Sequence, residues 1–358
     1  MKRTGLIVIA MMLAISTFLA ACGNRSASDQ PSGGQTPAAS PSASGGGSSE
    51  NQGPTQSYNF NMSIPVGETS TWFLAAQEFA RLADEKSNGR IKINLFANNQ
   101  LSGGDNVKAI EFLIQGKNDL SYDSTIFYSL VDEKFGVISA PFLFKDWADV
   151  DQKLGGEGGE ALKALLREKG IEPLGLGQNG FRQVTNNSRQ IKTPDDLKGL
   201  KFRIPGIKMY VDLWELFGAN PVQMSFPELF PALQQGVVDG QENPIDLIHS
   251  TKFYEVQKYL TMWNYSFDAI VMGMNKKLFD SLHPEDQEIL REAATAANEY
   301  QVKLSREKES QQIAELEQLM EVHYPTEEEL NAFKEKVSPI YEKYGPVWGQ
   351  ELLDAFRN

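Results

Sequence analysis

The chain has 358 residues, with 34 Lys and Arg against 47 Asp and Glu for a formal charge of −13, and a single cysteine. A negative surplus of that size excludes nucleic acid and anionic membrane surfaces as partners held by bulk charge, and the overall field gives an acidic ligand no attraction. One cysteine permits no intrachain disulfide, and the roughly 300 residues after the N-terminal segment suffice for a large core in two lobes.

Met1-Lys2-Arg3 is a short positive region, Leu6 to Leu19 an apolar run, and Leu19-Ala20-Ala21-Cys22 a small-residue cleavage site. This reads as a secretion signal, too short for a spanning helix. The residues before Cys22 resemble a bacterial lipobox, whose cysteine becomes the acylated N-terminus. The expected boundaries are a signal peptide over residues 1–21, then the lipidated Cys22 and a disordered linker to residue 57. That linker is Gly, Ser, Pro, Ala and Gln with almost no large apolar residue, so it cannot bury enough surface to order itself. With Cys22 acylated, the folded part has no thiol for a metal site or a nucleophile.

From Tyr58 strands and helices alternate. Tyr58 to Ile64 alternates as a strand. Thr69 or Ser70 caps a helix running to Ser87, with Trp72, Phe79 and Ala83 on one face and Gly89 as its stop. A strand over Arg90 to Phe96, a helix over Val107 to Gln115 closed by Gly116, and a short strand at Asp119 to Tyr122 follow. This order predicts a mostly parallel sheet covered on both faces. Gly155-Gly156 and Gly158-Gly159 lack the Lys-Ser/Thr of a phosphate loop and read as a loop between helices.

The second stretch repeats the pattern. Ile171 to Leu176 and Phe181 to Thr185 read as two strands. Thr193-Pro194 opens a capped turn, and the strand around Arg203 leads into a helix from about Ile207 to Phe217. Ser225-Phe226-Pro227-Glu228 is a capping box for a helix through Gln235. Val237 to Gly240 reads as a brief strand, and Asp239 to Pro244 as a polar stop. Two strand-like runs, Tyr259 to Tyr265 and Ala269 to Met274, precede a helix from Pro284 to about Met320. That helix has no internal Gly or Pro and one apolar stripe through Ile289, Leu290, Ala293, Ala297 and Leu304. It exceeds the length of one lobe, so it is expected to bridge two.

Two arginines stand out, in Asn179-Gly180-Phe181-Arg182-Gln183-Val184-Thr185-Asn186 and in Leu200-Lys201-Phe202-Arg203-Ile204-Pro205. Each follows apolar strand residues and precedes a turn signal, so each is expected where a strand leaves the core. A planar guanidinium held there suits a carboxylate through two parallel hydrogen bonds, which points to an acid-binding protein. Asn243 before Pro244 is a helix cap, a ligand contact or both. Phe226, Trp72, Trp214 and Trp263 are core packing or ligand lining. His249, His283 and His323 have neither metal-ligand spacing nor a neighbouring nucleophile, so no catalytic residue, metal or cofactor is expected.

The blocks Gly199-Leu200-Lys201-Phe202-Arg203-Ile204-Pro205, Phe217-Gly218-Ala219-Asn220-Pro221 and Ala232 to Pro244 occur in a known order and spacing. Through them the chain from Tyr58 onward resembles the DctP-type solute-binding proteins of TRAP transporters, the ATP-independent carriers of organic acids. The resemblance implies an α/β, two-lobed fold of the periplasmic-binding-protein kind (type II-like), with mixed sheets, crossing hinge strands and a long bridging helix. Lobe I would be residues 58–180 with about 269–308, and lobe II residues 181–268 with about 309–358. It implies that Arg203 grips the ligand carboxylate, that Arg182 assists, that Asn243 binds the carboxylate or a neighbouring oxygen, and that Phe226 packs on the ligand. Ser124 stands where sialic-acid-binding members carry Glu, and Pro65 where they carry Asn; both departures argue against sialic acid.

The implied ligand is a C4-dicarboxylate or a sugar acid. Asp268 in the cleft would repel a second carboxylate but accept from sugar hydroxyls, and Asp123 and Asp105 pose the same ambiguity. The expected site is Arg203, Arg182, Asn243, Phe226, Ser124, Trp72 and Asp268. The expected partners are the small acid, TRAP permease subunits and the membrane through Cys22, with no nucleic acid; the expected location is extracytoplasmic and lipid-anchored. The competitors are a secreted enzyme acting on acidic sugars, a sensor presenting ligand to a receptor kinase, and the binding protein of an ATP-driven transporter. The uninterrupted long helix disfavours the last.

Overall fold

The computed structural model describes residues 54–357; the expected signal peptide, Cys22 and the linker up to residue 53 lie outside them. The strands are β1 (Tyr58–Ser63), β2 (Ile91–Phe96), β3 (Leu120–Ser124), β4 (Ile171–Asn186), β5 (Lys201–Ile204), β6 (Asn220–Gln223), β7 (Gly240–Pro244), β8 (Tyr259–Thr261), β9 (Phe267–Asn275) and β10 (Glu321–His323). They form a mixed sheet in the order β2-β1-β3-β9-β4-β7-β5-β6, with β8 joining β4 and β10. The fold is two-lobed α/β with a mixed sheet.

The expectation of a mostly parallel sheet holds only within each group of strand–helix–strand units. β1 pairs β2 and β3 in parallel, and β5 pairs β6 and β7 in parallel. Between these groups run β9 and β4, antiparallel to each other and to their neighbours β3 and β7. β4 hydrogen-bonds to β9 from Ile171 to Phe181, then to β7 from Arg182 to Asn186. One strand thus belongs to both halves of the sheet.

β4 also corrects the reading of two separate strands. Gly175, Gly177 and Gly180 interrupt the apolar alternation that marks a strand, yet the backbone continues through them with irregularities at Pro173/Gly175 and Gln178/Gly180. The glycines are there for close approach. A Cβ at Gly177 would lie 2.4 Å from the Tyr122 hydroxyl and 2.8 Å from Gln301 Oε1. β7 is the second correction: the strand runs from Gly240 to Pro244, where the polar composition reads as a stop. Its side chains are buried because the neighbouring strand satisfies them; Gln241, for example, donates to Thr185 Oγ1 at 2.9 Å.

The first helix, Thr71–Lys86, starts after Ser70, whose hydroxyl accepts from Phe73 N. The glycine-rich stretch is tighter than a loop. Gly155 ends the helix Trp147–Gly155, Gly158 and Gly159 open Glu157–Glu168, and a Cβ at Gly159 would fall 1.9 Å from the Leu154 carbonyl oxygen. The long helix is Pro284–Leu319, about 54 Å at 1.5 Å per residue. Its stripe is buried except for the half-buried Leu304. Lys86 pairs with Glu292 near one end, and Gln312 donates to Asp246 at 3.0 Å near the other. Midway, Gln301 donates to the Gln178 carbonyl at 2.8 Å and accepts from the Gln178 N–H at 2.9 Å, beside the second irregularity of β4. No helix among the described residues is long and apolar enough to cross a membrane.

Candidate ligand-binding site

Ser124, Arg203 and Asn243 stand at or next to the carboxyl ends of β3, β5 and β7, the edge of an α/β sheet where ligands bind. Phe226 is the first residue of the helix Phe226–Gln234, and Trp72 the second of Thr71–Lys86. Asp268 follows Phe267 on β9, and Arg182 lies on β4 where that strand changes partners. All seven line one hollow. Asn179, Pro205 and the apolar side chains of Val66, Ile126, Phe127 and Leu247 complete its wall.

The two arginines occupy different electrostatic settings. Arg182, 2 % exposed, is already neutralised. Its Nε and Nη2 donate to the Glu242 carboxylate, Nη2 also to the Glu242 and Asn243 oxygens, and Nη1 to Asp268 at 3.2 Å. Burial pulls its pKa down, but the Glu242 charge and hydrogen bonds outweigh that and hold it well above the ordinary value. Arg203, 1 % exposed, has no such partner. Among the described residues its guanidinium bonds only to the Met224 carbonyl, from Nε at 3.0 Å and Nη2 at 2.8 Å. Burial lowers its pKa to about 10, so it stays charged at neutral pH. Of the two arginines expected at the acid, Arg203 as the grip and Arg182 as its assistant, Arg203 is free of carboxylate partners among the described residues and Arg182 is anchored by Glu242 and Asp268.

Neighbouring polar groups serve Arg182 and Asp268. Asp268 accepts from Ser124 Oγ (2.6 Å), Thr125 Oγ1 (3.3 Å), Asn179 Nδ2 (2.7 Å) and Arg182. Burial raises its pKa, partly offset by Arg182 and by the Ser124 and Asn179 bonds. Trp72 donates its indole N–H to Asn179 Oδ1 at 3.2 Å. Asn243 is not a helix cap: the following helix, Ile245–Ser250, is capped at Pro244 without a side-chain bond, and the Asn243 amide binds Arg182 and Gln241. The sequence reading missed Asn179 and Glu242 as site residues. Asn179 falls between the two expected strands and Glu242 in the expected polar stop; the signal available was a buried-type arginine needing a nearby carboxylate.

Asp105 and Asp123 lie off the hollow. Asp105 caps the helix Asn106–Gln115 and faces a separate groove shared with Glu228. Asp123 is fully buried on β3, and one of its carboxylate oxygens has no hydrogen-bond partner among the described residues. Burial pushes its pKa up to about 8; a bond from Ser124 N opposes the shift and the Asp268 charge adds to it. The native carboxyl therefore keeps its proton up to about pH 8, whereas the unfolded chain releases it near pH 4. Between those values the native state binds more protons, so this group's contribution to stability falls as pH rises. Asp123→Asn is expected to gain stability over the wild type steadily from about pH 4 to about pH 8 and then level off. Urea midpoints at intervals across that range test it; a difference independent of pH refutes the assignment.

The histidines pack away from the hollow: His249 meets Glu315, His323 meets Glu329, and His283 caps the long helix. Trp214 stacks on Phe202 in the core.

The model of the family "Bacterial extracellular solute-binding protein, family 7" (DctP) matches residues 62–346. The C4-dicarboxylate-binding protein DctB of Bacillus subtilis is 33% identical over 296 residues, 82% of this chain and 84% of that protein. The 2,3-diketo-L-gulonate-binding periplasmic protein YiaO of Escherichia coli is 36% identical over 242 residues, 68% of this chain and 73% of its own length. A crystal structure of a TRAP periplasmic solute-binding protein from Ralstonia eutropha with bound (S)-2-acetolactate superposes with a TM-score of 0.82 at 33% identity, covering 84% of this chain and 97% of that one.

Proposed function

The chain belongs to the family 7 bacterial extracellular solute-binding proteins, the DctP family, and on that premise we propose that Arg203 grips the carboxylate of a small organic acid enclosed between two lobes. The protein is an extracytoplasmic solute-binding protein for small organic acids, and TRAP permease subunits are the partners that receive them. One observation carries the role of Arg203: a buried guanidinium lining the hollow, with no carboxylate of its own among the described residues. Leaving such a charge uncompensated is costly, and a ligand carboxylate removes that cost.

The lobe boundary near residues 180 and 181 gains support from β4, which exchanges β9 for β7 between Phe181 and Arg182. Groups from both sides of that exchange line the hollow, so bound acid favours the closed arrangement. The role is capture and delivery without turnover, which the names of the relatives favour. Gentle purification followed by denaturation should release a small organic acid identifiable by mass spectrometry. Renewed incubation with fresh protein should return it unchanged; a new product supports the enzyme reading instead.

Cys22 carries the anchor in this proposal, because it alone supplies a thiol beside a small-residue cleavage site. Cys22→Ser is expected to move the protein from the membrane fraction to the soluble extracytoplasmic fraction. Retention of that variant on the membrane overturns the anchor.

A further inference from the structure

The charges around the hollow are unevenly placed. Among the described residues lining it, the cations are Arg182 and Arg203 and the anion is Asp268. Arg182 is already outweighed: it faces the Glu242 and Asp268 carboxylates, so that cluster carries one negative charge in excess. Asp268 receives hydrogen bonds from Ser124 Oγ, Thr125 Oγ1, Asn179 Nδ2 and Arg182 Nη1, two at each oxygen. Four donors around two oxygens suit the ionised carboxylate, which only accepts. Arg203, in contrast, has no carboxylate partner among the described residues. The neighbouring groove adds no cation. Met224, whose carbonyl Arg203 holds, lines that groove with Asp105 and Glu228, and no Lys, Arg or His among the described residues does.

From this placement, and resting on the reading that Arg203 holds the ligand's carboxylate, we propose that Asp268 is the specificity-determining residue that restricts the ligand to a single carboxylate. One acid group pairs with Arg203. A second, at the far end of a ligand in the same hollow, meets Asp268 with no cation left to offset it, and like charges in a buried site repel strongly. An uncharged polar end is served instead. The side-chain oxygens of Asn179, Asn243 and Ser124 each accept one bond and keep a second lone pair, and the amide nitrogens of Asn179 and Asn243 each keep one N–H. A ligand hydroxyl therefore finds both acceptors and donors there. Of the two ligand classes the family reading allows, this selects sugar acids with one carboxylate over C4-dicarboxylates.

The test is calorimetric titration of the full-length protein, stripped of bound ligand, with two matched pairs that differ only in the far group, hydroxymethyl or carboxylate: 4-hydroxybutyrate against succinate, and gluconate against glucarate. In each pair that binds, the monoacid is expected to bind about tenfold or more tighter than the diacid. A smaller ratio, or a reversed one, overturns the inference and leaves the acid-binding reading intact. If none of the four binds, the acid released from the purified protein on denaturation decides: one carboxylate supports the inference and two overturn it. If no organic acid binds or is released, both readings fall. Asp268→Asn tests the residue itself. It keeps the shape of the side chain and drops the charge, and the Ser124 and Thr125 hydroxyls beside it can accept from the new amide. The preference for the monoacid is expected to shrink by at least about threefold in this variant. A folded variant with the wild-type ratio overturns the role of Asp268, and the wild-type pairs decide alone if the variant does not fold.

Discussion

Arg203→Ala weakens acid binding by between a hundredfold and ten-thousandfold and leaves a folded protein. Two charge-assisted hydrogen bonds at roughly 1.5–3 kcal/mol each put about 3–6 kcal/mol at stake, which gives that range. Folding survives because the guanidinium contributes only its bonds to the Met224 carbonyl, while its burial as an unpaired charge costs stability. Arg203→Lys loses most of the affinity as well. An ammonium is a point donor that cannot keep Met224 and present a planar fork to the ligand together. Calorimetry gives the affinities and circular dichroism the melting temperatures. An alanine variant that binds the same acid with unchanged affinity refutes the role of Arg203.

Glu242→Gln is the opposite kind of change: a large loss of stability. The substitution keeps the shape of the side chain but removes the charge facing Arg182, and it weakens the acceptor for the Tyr265 hydroxyl, now 2.7 Å away. Breaking one side of a buried ion pair costs about 3–5 kcal/mol, because the survivor remains buried and undercompensated. That corresponds to a fall in melting temperature on the order of 10 °C. Asp268 still contacts Nη1 of Arg182 and limits the damage. Unchanged thermal midpoints for Glu242→Gln show that the pair does not hold this region together.

The sequence made the regular helices legible because their signals are local. Ser70, Gly116, the Ser225/Glu228 box and the apolar stripe of Pro284–Leu319 each mark an end or a face within a few residues. The polar interior was harder to read. In Gly240 to Pro244 and through Gly175 to Gly180, glycines and buried polar side chains take the place of the apolar alternation that identifies a strand. Their partners lie on other strands, as Thr185 does for Gln241, and no window along the chain contains both.

The site divides the same way. Trp72, Ser124, Arg182, Arg203, Phe226, Asn243 and Asp268 meet at one hollow, and the arginines could be singled out because each sits in an apolar strand context. Which arginine is free was not legible, since that depends on Glu242 and Asp268 reaching Arg182 from two other strands.

The amide of Gln301 fastens an otherwise unbroken rod to the crossing strand near its midpoint, with one bond in each direction. Arg291 reaches Glu172 and Arg306 reaches the Gln178 side chain, so the rod holds the same strand on either side of that amide. Ties spread along its length resist pivoting, so the rod and the crossing strand are expected to turn together as one piece.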